Sequence, residues 1–78
     1  MDIRDYITIR PGVRSGKPCV KGTRITVYDV LEYLSSGMSI DEIVEDFPQL
    51  TRESVLAVLK YASEREYHTI LRSYEAIN

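Results

Sequence analysis

The chain has 78 residues, ten Lys or Arg against twelve Asp or Glu, a formal net charge of −2 and 44% hydrophobic residues. This describes one domain with a small core and enough apolar content to fold rather than stay disordered. No apolar run approaches the ~20 residues of a membrane span, the charged start Met1-Asp2-Ile3-Arg4-Asp5 lacks the core of a signal peptide, and the single Cys19 excludes an internal disulfide, so a reducing cytoplasm is the expected location.

Glycine and proline are confined to the first two thirds of the chain, with the last Gly at Gly37 and the last Pro at Pro48. Tyr6-Ile7-Thr8-Ile9-Arg10 alternates and is rich in β-formers. Pro11-Gly12 then turns the chain, and Cys19-Val20-Lys21 can pair back before Gly22 breaks it. This predicts a short N-terminal β-hairpin.

Three helix starts follow, each with the same local grammar. Thr26 is an N-cap candidate with Asp29 three residues on, Ser39 with Glu42, and Thr51 with Ser54. Each start also carries a staple pair: Ile25 with Val30, Met38 with Ile43, and Leu50 with Val55. The predicted apolar stripes are Val27, Val30, Leu31 and Leu34, then Ile40, Ile43, Val44 and Phe47, then Val55, Val58, Leu59 and Ala62. Gly37 stops the first helix and Pro48 the second. Asp41, Glu42, Glu45 and Asp46 lie off the second stripe and are expected in water.

Nothing after Pro48 breaks a helix, so residues 51 to 78 can form one helix about 40 Å long. The stripe changes phase, however. Tyr67, Ile70, Leu71, Tyr74 and Ile77 form a second stripe roughly 90° around from the first. The polar Ser63-Glu64-Arg65-Glu66 separates the two. One small core cannot easily use both faces, so the second stripe docks on a partner chain or back across the hairpin. The expected fold is therefore mainly α with a short N-terminal β-hairpin: a three-helix, homeodomain-like helix-turn-helix over residues 1–66 plus a helical extension over 67–78.

Charge is as uneven as glycine. Residues Tyr6 to Tyr28 contain Arg10, Arg14, Lys17, Lys21 and Arg24 and no acid, while the remaining residues sum to −7. A basic front end suits an anionic polymer, and an acidic helical body suits a basic protein. In a helix-turn-helix the start of the third helix enters the DNA major groove. Arg52 and Ser54, with Ala57 and Lys60 on the outer face, would then contact DNA, while Glu53 would repel phosphate. The alternative is a plain αα-hairpin. Arg14, Lys17, Lys21 and Arg24 would hold phosphates beside the third helix; the alternative is a merely solvated hairpin.

Catalytic signals are weak. Gly16-Lys17-Pro18 and Gly22-Thr23-Arg24 lack phosphate-loop spacing. Cys19 and His68 stand alone, and no metal-ligand cluster is visible. Cys19 reads as a small apolar residue of the hairpin and His68 as a solvated one. The expected protein is not an enzyme and needs no cofactor.

The run from Gly16 to Val27, GKPCVKGTRITV, resembles the signature of a small bacterial and archaeal family known as domain of unknown function 433. The likeness continues through Gly37-Met38-Ser39-Ile40-Asp41-Glu42-Ile43 and Phe47-Pro48-Gln49-Leu50-Thr51 to Tyr61-Ala62, about residues 3 to 66. Phe47 departs mildly, because the family usually has Tyr before this Pro. The resemblance implies a homeodomain-like helix-turn-helix and an antitoxin-like role beside a small PIN-like ribonuclease toxin. It carries no catalytic residues. Gly16, Pro18, Gly22, Thr23 and Arg24 match its strongest motif and can equally be structural, with Arg24 donating to backbone carbonyls or to a helix acid.

That role divides the chain into two tasks. Promoter DNA would meet the basic end. The toxin would meet the C-terminal helix through Arg65, Tyr67, Ile70, Leu71, Arg72 and Tyr74, with Tyr as a large anchor of low entropy cost. A homodimer is the expected assembly. The competing reading is a dimeric protein-interaction module that does not bind DNA.

Overall fold

The β-hairpin is formed by β1 (Ile7–Thr8) and β2 (Cys19–Val20), antiparallel with Ile7 opposite Val20 and Thr8 opposite Cys19. This computed structural model describes the backbone of residues 1–77 and the side chains of residues 1–65. The paired strands are shorter than the sequence predicts, because Ile9 and Arg10 leave the ladder for the Pro11-Gly12 turn, which the Val13 amide closes onto the Arg10 carbonyl at 3.0 Å. On its other edge β2 meets residues 25–27: Val20 N–H donates to the Ile25 carbonyl, and Val27 N–H to the Pro18 carbonyl, both at 2.9 Å. Cys19 also bridges to Thr26. β2 is thus bonded on both edges, by β1 and by residues 25–27, and Cys19 and Val20 are only 2% and 3% exposed.

The helices are α1 (Val27–Ser35), α2 (Ile40–Asp46) and α3 (Arg52–Ile77). All three expected caps form. Thr26 and Asp29, and Ser39 and Glu42, each exchange two hydrogen bonds as a capping box. Thr51 and Ser54 do the same with hydroxyls on both sides. Gly37, at φ +103°, ends α1: its N–H donates to the Leu34 carbonyl while Met38 N–H donates to that of Tyr33. This double closure needs a left-handed residue, which glycine supplies without strain. A short Phe47–Thr51 connection then joins α2 to α3 in a mainly α, helix-turn-helix-like arrangement.

The core gathers Ile7 and Val20 from the ribbon, Val27 and Val30 from α1, Ile43 from α2, Leu50, and Val55 and Val58 from α3. Leu31, Leu34, Ile40, Val44 and Phe47 pack against it, so the stripes predicted for α1 and α2 hold. Tyr33 and Phe47 stack at 4.5 Å between α1 and the end of α2. The stripe predicted for α3 is corrected. Leu59 is 38% exposed and Leu56 39%, whereas Ala57, expected outside, is fully buried, as is Ser54 at 4%. The buried face is rotated by about one residue step. The cause is the number of neighbours: α3 packs against α1, α2, β1 and the 3-10 turn Ile3–Asp5, and small Ser54 and Ala57 let them approach.

α3 crosses the boundary expected after residue 66 as one helix. The second stripe falls on side chains outside the described residues.

Ile43→Ala should cost about 3 kcal/mol in urea unfolding, because a fully buried aliphatic side chain leaves a cavity. Leu59→Ala should cost less than about 1 kcal/mol. Equal losses at both positions would contradict this packing.

Candidate nucleic-acid interface

The basic segment folds into a ribbon closed by two tight turns. Between Val20 and Thr23, Gly22 adopts φ +80° and Thr23 N–H donates back to the Val20 carbonyl at 3.0 Å. The Thr23 hydroxyl is buried; it donates to the same carbonyl and accepts from Ile25 N–H. This turn holds Lys21 and Arg24 at its flanks. Upstream, Arg14 and Ser15 both take positive φ, +48° and +59°, and Gly16 follows at +77°. Left-handed backbone at a non-glycine residue costs about 1–2 kcal/mol, so this turn must be held from elsewhere.

Arg14 holds it. One guanidinium nitrogen donates to the Arg24 carbonyl at 2.9 Å and to Asp29 Oδ2 at 3.0 Å. Arg10 makes a parallel contact to the Thr23 carbonyl at 3.3 Å. Two arginines of the run therefore buttress the turn that carries the other cations. Arg14, expected to hold phosphate, makes these bracing contacts. Carbonyl donation, the structural alternative for Arg24, is made here by Arg10 and Arg14.

Asp29 is the acid at the centre. Partial burial disfavours its charge, but hydrogen bonds from the Thr26 amide and hydroxyl side, and then from Arg14, outweigh this and hold its carboxyl below the usual 3.8. Sequence reasoning assigned Asp29 only to the cap. The available signal was position: it is the first acid after five cations, fixed at a helix start.

Lys17, Lys21 and Arg24 are exposed and lack an ion-pair partner among the described residues. They form the uncompensated part of the segment's charge.

The start of α3 is different. Arg52 pairs with Asp41 of α2 at 3.2 Å, both well exposed. Ser54, expected at DNA, has a buried hydroxyl that accepts from Thr51 N–H and donates to the Thr51 carbonyl. Capping consumes the group that would have reached a base. Lys60 is exposed but lines an open groove with Met1, Asp2, Arg4 and Glu64, away from the first turn of α3. The structure does not bring Arg52, Ser54 and Lys60 together with the ribbon cations as one patch. Arg65 lays its guanidinium 5.5 Å from the Tyr61 ring centroid and donates to the Tyr61 hydroxyl. Tyr67, Ile70, Leu71, Arg72 and Tyr74 have side chains outside the described residues. Among the described residues no metal-ligating cluster occurs, and no helix is long and apolar enough to cross a membrane.

Fold and site define a small helical domain whose three helices are fronted by a rigid basic ribbon. The chain belongs to the family described as protein of unknown function DUF433, whose profile matches residues 7–62. It is 36% identical over 59 residues to the uncharacterized protein y4eO of Sinorhizobium fredii (strain NBRC 101917 / NGR234), covering 76% of this chain but only 27% of that protein. The chain thus spans about a quarter of that relative's length. The crystal structure of a DUF433 member from Anabaena variabilis ATCC 29413 superposes with a TM-score of 0.74 at 31% identity, covering 91% of this chain and 69% of that one.

Asp29→Asn should destabilise the protein by about 1 kcal/mol at neutral pH, through loss of a charged cap and of the Arg14 contact. Because the folded carboxyl is held below 3.8, its contribution is present above that value and fades as pH falls through the lower folded one. The gap between wild type and variant should therefore begin to narrow below about pH 4 and close only below the lower folded value in acid titrations of stability. A gap independent of pH would exclude the carboxylate's charge as the cause.

Proposed function

We propose that this chain is an antitoxin-like protein of a toxin–antitoxin pair. It binds promoter DNA through its basic ribbon and neutralises a small PIN-like ribonuclease through α3. The observation that carries the DNA half is the braced display of Lys17, Lys21 and Arg24 without carboxylate partners among the described residues. Cations so placed release counterions on meeting phosphate, which is the main source of non-specific affinity. In this reading α3 contributes mainly architecture, since the hydroxyl of Ser54 is buried in its cap. This departs from a homeodomain-like docking of the third helix.

The partner half rests on the outer face of α3. Leu56 and Leu59 are exposed there. At ~100° per residue, sequence positions 67, 70 and 74 fall in their helical phase. The partner surface accordingly starts at Leu56, about three turns before the extension.

A second reading is a protein-interaction module that dimerises and binds no DNA. The same exposed leucines favour it, as does the acidic α2, where Asp41, Glu42, Glu45 and Asp46 all face solvent.

Binding to a promoter fragment, followed by anisotropy, should weaken steeply with salt. Lys21→Ala and Arg24→Ala should each reduce the slope of log K against log salt by about 0.9. Arg52→Ala should change affinity less than about twofold. Removing residues 67–78 should abolish co-purification of a small nuclease from the native cell and leave DNA binding intact. Salt-independent or undetectable DNA binding selects the interaction-module reading.

A further inference from the structure

Thr23 is a buried polar residue in an exposed loop. It is 7% exposed, while Lys21, Gly22 and Arg24 around it all face solvent. A buried hydroxyl needs partners, and this one has two. It donates to the Val20 carbonyl at 2.9 Å and accepts from the Ile25 N–H at 3.0 Å.

Val20 and Ile25 are the residues that the loop Lys21-Gly22-Thr23-Arg24 joins. Val20 N–H donates to the Ile25 carbonyl at 2.9 Å. In a regular antiparallel pair the return bond would run from the Ile25 N–H to the Val20 carbonyl. Here it passes through the Thr23 hydroxyl, which accepts from the first and donates to the second. The Val20 carbonyl also accepts from the Thr23 N–H at 3.0 Å, so Lys21 and Gly22 are the central residues of a tight turn. Gly22, at φ +80°, suits the third position of that turn. From outside, Arg10 and Arg14 donate to the Thr23 and Arg24 carbonyls. From inside, the Thr23 side chain closes the loop.

The loop carries two cations, Lys21 and Arg24, and neither has an ion-pair partner among the described residues. Their side chains lie in solvent, so what the fold can fix is the backbone from which each one starts. A loop fixed beforehand loses little entropy when phosphate arrives, and a loose loop must be ordered at that moment, at a cost in affinity. We propose that Thr23 is a positioning residue for DNA binding: its hydroxyl sets the backbone from which Lys21 and Arg24 reach phosphate, and does not itself meet DNA. This rests on the ribbon being the phosphate-binding face and identifies what shapes it.

The test uses the full chain and a mixed-sequence DNA duplex of about 20 base pairs, with anisotropy over a salt series and circular dichroism as the check of folding. Thr23→Val removes the hydroxyl and keeps a branched side chain, whereas Thr23→Ser keeps the hydroxyl. Thr23→Val should bind about tenfold more weakly, with the slope of log K against log salt unchanged because the same phosphates are neutralised. Thr23→Ser should stay within about threefold of wild type. A folded Thr23→Val that binds like wild type would overturn the inference and leave the ribbon reading intact. A slope reduced by about 0.9 would do the same, since it marks a lost phosphate contact. If Thr23→Val does not fold, amide exchange in the free wild-type chain decides. The Ile25 N–H should exchange at least about tenfold more slowly than in an unstructured peptide, and exchange at the unstructured rate excludes a preset loop. A wild-type chain that leaves the duplex unbound overturns the ribbon reading, and this inference with it.

Discussion

Asp29 accepts from the Thr26 amide and from the Arg14 guanidinium, and the arrangement of the N-terminal third depends on that double use. The first contact starts α1. The second carries the start of α1 across to a left-handed turn that would otherwise be strained at two consecutive non-glycine residues. Because the same Arg14 nitrogen also reaches the Arg24 carbonyl, turn, ribbon and helix are locked to one another through one ion pair. The pair is only about one third exposed on either side, so it is better shielded than the Arg52–Asp41 pair between the starts of α2 and α3.

This bracing separates two kinds of cation that look alike in the chain. Arg10 and Arg14 bond to backbone carbonyls and to Asp29, and serve the fold. Lys17, Lys21 and Arg24 stand on the structure those two hold, and face water. The run of five positive charges is therefore neither wholly a binding patch nor wholly a solvated hairpin. In the proposed function the second group meets nucleic acid, and its placement depends on the first.

α3 shows a comparable division. Its inner face is crowded by four neighbouring elements and admits Ser54 and Ala57. Leu59 is pushed outward beside Leu56. What looks in sequence like an abrupt change of stripe after residue 62 is in part an outer apolar face that begins earlier. The acids of α2 surround the other side of the domain, which keeps the two ends electrostatically distinct.

The sequence alone determined the helices and their limits. Capping residues, staple positions and the glycine after α1 act over three to six residues, so local chemistry settles them; Thr26, Ser39, Thr51 and Gly37 all do what their neighbours require. It also determined the family, through the run from Gly16 to Val27. The tertiary structure decided which face of α3 is buried, because that depends on how many elements pack against it. It decided as well that Arg14 braces the turn and Lys21 does not. Both depend on contacts between segments far apart in the chain, which no local pattern encodes.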